Sequence, residues 1–215
     1  MHEEILDAVG EVDEDKSLKV LVITGSRDSF SAGMDLDKEL SPYSNNPKEF
    51  LKRNELALRW LTSLRKSRLI TIASVNGWCL GGGMSILGAC DLAIASKRAV
   101  FGLPEIDIKL VPGGGAMWAV AYYLLPRRAM YFALTGDRFT AYQALEFGLI
   151  NKVVSHIKLR KETLELAKTI AQKDSTALEI TKHFCQKMIP QDLDLSLSTE
   201  RAAIRELFTR QIGRT

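Results

Sequence analysis

The sequence has few of the residues that build disulfide frameworks or metal sites. Among its 215 residues only three are cysteine and three are histidine, and neither type shows the spacing of a zinc site or a CxxC motif. We therefore expect no metal site, and reduced thiols as in a cytoplasmic protein. A GxSxG motif is also missing, so a serine hydrolase triad is not indicated.

Charge of one sign and long apolar runs are missing as well. Lys and Arg number 29 against 26 Asp and Glu, a net charge of +3, which is not the basic excess typical of nucleic-acid-binding proteins. No apolar run reaches the roughly 20 residues of a membrane-spanning helix. The first residues, Met1 to Glu4, do not resemble a secretory signal peptide. These features predict a globular cytoplasmic protein without a nucleic-acid or membrane partner.

The hydrophobic pattern predicts an α/β fold. Short runs rich in β-branched residues alternate with segments of helical periodicity, and the last third of the chain is helical throughout. We therefore expect an α/β core over residues 1–155 and a helical region over 156–215. The predicted strands are 18–24, 69–75, 91–95, 99–102 and 150–154, and the predicted helices are 2–15, 50–66, 84–90, 116–147, 159–173, 174–187 and 192–210.

Two loops that follow predicted strands are suited to close approach of the backbone to a ligand. One is Ser31–Asp35, and the other contains the run Gly81-Gly82-Gly83. Three consecutive glycines cost chain entropy, and the helix after them would offer free N–H groups to an oxygen that gains negative charge. A tight turn that packs a helix on a strand is the alternative. The run matches neither the dinucleotide fingerprint nor the P-loop.

Glu105 follows Pro104 inside an apolar stretch, Phe101 to Ile106. A carboxylate in such surroundings is either paired or has a raised pKa, and a raised pKa suits general acid or base catalysis near neutral pH. A solvated or helix-capping glutamate is the alternative, and Asp107 is a weaker candidate for the same role.

Three segments together resemble the crotonase superfamily, also called the enoyl-CoA hydratase/isomerase family: Leu18–Asp35, Ile72–Glu105 and Leu134–Val154. The resemblance implies a spiral of ββα units with a C-terminal helical region that forms trimers or dimers of trimers. It also implies an enzyme of fatty acid metabolism that needs no cofactor beyond the coenzyme A of its acyl-CoA thioester substrate.

The resemblance further implies a site. The family stabilises a thioester enolate with two backbone N–H groups, which correspond here to Met34 and Gly82. The positions implied to line the substrate site are Ala32, Asp35, Leu36, Asp37 and Gly81.

The two-glutamate hydratases of the family have one carboxylate at the position of Ser85 and another at that of Glu105. This chain resembles a one-glutamate member, so Ser85 and Glu105 are the catalytic candidates. A single base can take a proton from one carbon and return it to another, which suffices for a double-bond shift, whereas two-carboxylate hydration is not supported.

Two alternatives remain open. Asn76–Cys79 and the pair Ser85 and Glu105 also resemble the hydroxycinnamoyl-CoA hydratase-lyases of the family. Those enzymes hold a phenol with tyrosines, but the matching position here is Glu39, with Tyr43 further along, and residues 192–208 contain no tyrosine. Both ends are expected to be shorter than the family pattern. That favours a catalytically weak homologue that binds acyl-CoA or serves assembly.

A basic cluster at the end of the second predicted helix comprises Arg65, Lys66 and Arg68. Such a cluster could contact a phosphate of coenzyme A. A solvated helix end is the favoured interpretation, because long basic side chains commonly extend into water.

Overall fold

Two four-stranded sheets form the centre of the computed structural model, which describes residues 2–40, 46–188, 197–198, 201–202 and 205. The first sheet is wholly parallel, and in the second only the last strand is antiparallel to its neighbour. In spatial order, the first sheet contains β1 (Val20–Thr24), β3 (Ile70–Val75), β5 (Leu92–Ser96) and β8 (Lys152–Val154), and the second contains β2 (Ser29–Ser31), β4 (Trp78–Leu80), β6 (Val100–Gly102) and β7 (Arg138–Thr140).

The first three pairs of consecutive strands, with one strand in each sheet, are each followed by a helix, which confirms the α/β class and the expected ββα units. Short non-α turns also occur: a π-helix at Leu36–Leu40 and 3-10 turns at Pro104–Ile108 and His156–Lys158. The α-helices are α1 (His2–Glu14), α2 (Pro47–Lys66), α3 (Gly82–Ala89), α4 (Ala116–Tyr123), α5 (Pro126–Thr135), α6 (Ala141–Glu146), α7 (Leu159–Ala171) and α8 (Ser175–Met188).

The register of the second sheet brings two distant segments to one edge. Leu80 at the end of β4 pairs with Gly102 at the end of β6, and the N–H of Gly81 donates to the carbonyl of Gly102 at 3.0 Å. The segment after β4 begins α3, and the segment after β6 begins the 3-10 turn that carries Glu105. The sheet therefore places the glycine run beside that glutamate.

The structure differs from the sequence expectations in several short elements. Strands β2 and β4 occupy segments expected to be loop and turn, because each has three residues and is flanked by glycine and polar residues that favour turns. Their central residues, Phe30 and Cys79, are nonetheless buried. The segment 116–147, expected to be one helix, instead contains α4, α5, β7 and α6 in that order. The helix is interrupted because Pro126 starts α5 and Gly136, with φ of +71°, ends it.

The C-terminal helices pack on the first sheet. Helix α7 lies against β1, β3 and β5, and the hydroxyls of Ser74 and Thr163 are 3.1 Å apart between β3 and α7. The predicted break at Pro190 and most of the helix predicted over 192–210 lie outside the described residues. None of the described helices is both long and apolar enough to cross a membrane.

The expectation of a solvated basic cluster was wrong for two of its three members. Arg65 is buried, donates to the hydroxyl of Tyr122 at 2.7 Å and lies 5.3 Å from the ring centre of Trp118. Arg68 donates to the carbonyls of Asp13 at 2.8 Å and of Leu18 at 2.9 Å. These guanidinium groups join α2 to neighbouring segments because backbone oxygens and aromatic faces satisfy them.

Candidate active site

Two backbone N–H groups meet where β2 and β4 end. A Cβ atom added to Gly33 would lie 3.4 Å from the amide nitrogen of Gly82, and one added to Gly82 would lie 3.9 Å from that of Met34. Gly33 has a φ of +96° and Gly81 a φ of +51°, conformations that glycine adopts without strain. Within the part of the chain that the structure describes, neither the Met34 nor the Gly82 N–H donates a hydrogen bond. No described residue competes for these two donors, so each can bind an oxygen atom.

Glu105 lies against this pair of loops. A Cβ added to Gly81 would come within 2.8 Å of its Oε1, so the absence of a side chain at Gly81 makes room for the carboxyl group. Its Oε2 is buried and has no hydrogen-bond partner among the described residues. Burial raises the pKa of Glu105 from 4.5 to about 7, because the charged form loses water and a hydrogen bond from the residue's own backbone N–H offsets only part of that loss. At neutral pH this carboxyl group can both accept and return a proton.

Ser85 lies one turn further along α3 from Gly82. Its side chain is 3% exposed, and its Oγ also lacks a hydrogen-bond partner among the described residues. An unpartnered buried hydroxyl costs about 1–3 kcal/mol. Such a cost is tolerable where a ligand or a water molecule supplies the partner.

A second glycine run, missed in the sequence analysis, borders Ser85. Gly114 and Gly115 have φ values of +61° and +91° at the start of α4. A Cβ on Gly115 would lie 3.7 Å from Ser85 Oγ, and one on Gly114 would lie 3.2 Å from the Oδ1 of Asn54 on α2. The repeated Gly-Gly-Gly at residues 113–115 was the signal that could have found this corner.

The remaining predicted site residues lie exposed after β2. Asp35 accepts a hydrogen bond from the N–H of Lys38 at 3.2 Å and forms an ion pair with its Nζ at 3.7 Å, so it caps the π-helix as a turn residue. The neighbouring exposed residues are Ala32, Leu36 and Asp37. Among described residues, nothing joins the side chains of Leu36 and Asp37 to Glu105 by a hydrogen bond or ion pair. Tyr43 lies outside the described residues, and nothing is described of the Glu39 side chain.

The site therefore combines backbone donors at a helix N-terminus, one carboxyl group that titrates near neutrality and one buried hydroxyl. Donors of this kind stabilise negative charge on an oxygen, and the carboxyl group can move a proton beside it. Among the described residues, no three His, Cys, Asp or Glu side chains cluster as metal ligands would.

Comparisons with known proteins identify the family of the chain. The family model of enoyl-CoA hydratase/isomerase matches residues 1–213. The chain belongs to the enoyl-CoA hydratase/isomerase family. The family prediction made from the sequence is confirmed, and so is the expectation that the chain is an enzyme of this type.

Individual relatives extend the comparison. The chain is 37% identical to a hydroxycinnamoyl-CoA hydratase-lyase of Pseudomonas fluorescens over 85% of its own length and 67% of the relative's. It is 33% identical to a crotonyl-CoA hydratase of Syntrophomonas wolfei over 97% of its own length and 79% of the relative's. The solved structure of an enoyl-CoA hydratase from Polaromonas sp. JS666 superposes with a TM-score of 0.83 at 27% identity, covering 99% of this chain and 81% of that one.

Proposed function

We propose that the protein acts on an acyl-CoA thioester whose enolate is stabilised by the N–H groups of Met34 and Gly82. The observation that carries the proposal is that the carboxyl group of Glu105 lies against Gly81, beside two N–H groups that donate to no described residue. The thioester oxygen would accept from both donors as negative charge develops on it. One such donor contributes about 10²–10³ in kcat in enzymes where it has been removed.

Glu105 is proposed as the single acid and base. As a carboxylate it takes a proton from one carbon of the acyl group, and as the acid so formed it returns that proton to another carbon. This sequence shifts a double bond with no co-reactant and leaves Glu105 as it began. Because Ser85 is a poor base at neutral pH, it would orient a water molecule or a substrate oxygen. A double-bond shift thus needs fewer groups than hydration does.

A hydratase-lyase acting on a hydroxycinnamoyl thioester is the second candidate. It is favoured by the 37% identity to a relative of that name together with the Ser85 and Glu105 pair. The absence of tyrosine from residues 192–208 weighs against an aromatic substrate, because no tyrosine hydroxyl in that segment could bind the phenol group of such a substrate. A protein that only binds acyl-CoA is the third candidate, which any measured turnover would remove.

The test is a panel of three thioesters, crotonyl-CoA, a 3-enoyl-CoA and feruloyl-CoA, with identification of the products. We expect a double-bond shift of the 3-enoyl-CoA by the wild type. Glu105→Gln keeps the shape of the side chain but cannot accept a proton, so turnover should fall about 10²–10⁴-fold while the thioester still binds. Undiminished turnover in this variant would refute the assigned base, and aldehyde release from feruloyl-CoA would establish the second candidate.

The assembly that we propose rests on exposed apolar side chains, and the location rests on free thiols. Several large apolar side chains on and before α7 and α8 are exposed: Ile157, Leu164, Ile180 and Phe184. Exposed apolar patches commonly mark protein interfaces, which supports a homotrimer or a dimer of trimers built on the helical region 156–215, and light scattering measures that mass. The buried free thiols Cys79 and Cys90 are compatible with the reducing cytoplasm.

A further inference from the structure

The C-terminal end of α3 is fastened by Asp91, which lies two residues beyond the last residue of the helix. One carboxyl oxygen of Asp91 accepts from the N–H and from the hydroxyl of Thr71 on β3, each at 2.9 Å. In return the N–H of Asp91 donates to the carbonyl of Thr71 at 3.0 Å. The end of the helix is thus fixed to β3, one of the two inner strands of the first sheet.

Two polar side chains of α8 reach the same carboxylate. Lys182 Nζ lies 2.8 Å from Asp91 Oδ2 and also donates to the carbonyl of Leu69 at 2.7 Å. Gln186 donates to Asp91 Oδ1 at 3.2 Å and to the carbonyl of Arg65 at 3.1 Å. The side chains of Lys182 and Asp91 are 3% and 13% exposed, so water competes little for these contacts. Helix α8 therefore also fixes Asp91, through both of its carboxyl oxygens.

Helix α3 is short enough to carry this constraint to its other end. Its eight residues span about 12 Å at 1.5 Å per residue, and six of the eight are buried. A close-packed short helix moves as a unit, so a displacement at Asp91 shifts the N–H of Gly82 and the hydroxyl of Ser85. The charge of Lys182 also offsets the carboxylate of Asp91 at the end of the helix where the dipole is negative.

We propose that Lys182 and Gln186 are positioning residues of the active site, which act through Asp91 and α3 on the Gly82 N–H. This inference rests on the proposed function, since it assumes that the Gly82 N–H binds the reacting thioester oxygen. A misplacement of about 1 Å far from the chemistry can cost about 10²-fold in rate. A helix in the C-terminal region thereby sets the rate of a site formed by the α/β core.

Two variants test the proposal without leaving a buried charge unpaired. Gln186→Leu removes two hydrogen bonds and no charge, and the double variant Asp91→Asn with Lys182→Met replaces the ion pair with neutral side chains of similar shape. The matched control is Thr163→Val, which removes the hydroxyl contact of α7 with Ser74 and involves neither α3 nor Asp91. Each variant is compared with the wild type in Tm, in kcat and KM for the turned-over enoyl-CoA, and in the dissociation constant of butyryl-CoA.

We expect Gln186→Leu and the double variant to lower kcat and kcat/KM equally, by about tenfold or more, with KM and butyryl-CoA affinity within about twofold of the wild type. That pattern identifies an interaction made in the transition state. Thr163→Val should lower Tm and leave kcat unchanged. The proposal is overturned if kcat in the two test variants stays within about twofold of the control. A wild type that turns over no enoyl-CoA would instead refute the proposed function, and this inference with it.

Discussion

The polar groups at the two ends of helix α3 differ in whether they have hydrogen-bond partners. At the N-terminal end, the Gly82 N–H, Ser85 Oγ and the neighbouring Glu105 Oε2 have no hydrogen-bond partner among the described residues, and the last two atoms are buried. At the C-terminal end, Asp91 has contacts with Thr71, Lys182 and Gln186, and the Tyr123 hydroxyl is 3.2 Å from the carbonyl of Gly88. The free end is available to a ligand, and the satisfied end fixes its position.

This contrast indicates how the site maintains unpartnered groups in a stable protein. A buried polar group without a partner destabilises the unliganded fold, and a raised pKa at Glu105 has the same origin. Contacts elsewhere offset that cost, and here they lie only one short helix away. Mutations at the two ends should therefore change stability in opposite directions, or change turnover at one end and stability at the other.

The largest expected effect is on stability, at the satisfied end. Lys182→Met leaves the Asp91 carboxylate buried without its cation, and breaking a buried pair in this way costs about 3–5 kcal/mol. Lys152→Met is the matched control, because it breaks an ion pair with Glu162 of 2.6 Å whose lysine is 54% exposed, and exposed pairs contribute about 0–1 kcal/mol. Urea unfolding gives both values. Equal losses in the two variants would contradict the role assigned to burial.

The sequence alone predicted the free end better than the satisfied one. The glycine run at 81–83 and Glu105 stand out in the sequence because glycine clusters and a carboxylate in an apolar stretch are locally unusual. Asp91 and Lys182 are 91 positions apart in the chain, counted from their residue numbers. No local pattern joins them, so their ion pair depends on tertiary packing that only the structure shows.

The same distinction holds for the fold. Strand β3 was predictable because four of its six residues are β-branched and it has no charged residue, which is typical of a buried strand, and all six are buried. Strands β2, β4 and β7 have three residues each, and they exist because neighbours in the second sheet supply their hydrogen bonds. Gly114 and Gly115 were visible in the sequence, but their position beside Ser85 follows from the packing of α3 on α4.

The next effect tests whether Gly81 is required at the free end. Gly81→Ala places a Cβ within 2.8 Å of Glu105 Oε1 and must displace the carboxyl group, so we expect about a 10²-fold loss of kcat/KM. Gly148→Ala is the control, because Gly148 also has a positive φ, of +81°, but its Cβ would meet no atom within 4 Å. That variant should lose stability from backbone strain and keep its turnover. Steady-state kinetics and thermal melts of the two variants separate the effect of the Cβ contact with Glu105 from the effect of backbone strain.

A smaller effect concerns pH. Because Glu105 acts as a base only when ionised and its pKa is raised to about 7, kcat/KM should fall about tenfold per unit as the pH drops below that value. Glu105→Gln should lose this dependence. The free energy of unfolding should change with pH in the opposite direction to the rate. Since the pKa of Glu105 in the folded protein exceeds the ordinary 4.5, the wild type loses stability relative to Glu105→Gln as the pH rises from about 4.5 to 7. A wild-type rate that is flat from pH 5 to 7 would contradict the proposed base.

The smallest effect compares one hydroxyl at each end of α3. Thr71→Val removes the hydroxyl that donates to Asp91 and accepts from its N–H, so it should cost about 1–2 kcal/mol of unfolding free energy. Ser85→Ala removes a buried hydroxyl that has no partner among the described residues. It should leave stability unchanged or raise it by up to about 1 kcal/mol, because an unsatisfied group disappears. Turnover gives a second readout: Ser85→Ala loses activity several-fold without a loss of stability if the hydroxyl binds water or substrate in the complex, whereas Thr71→Val should lose both, because it also loosens Asp91. Paired melts and kinetics on the two variants decide the matter. A destabilised Ser85→Ala would mean that its hydroxyl already has a structural partner, and the contrast between the two ends of the helix would then fail.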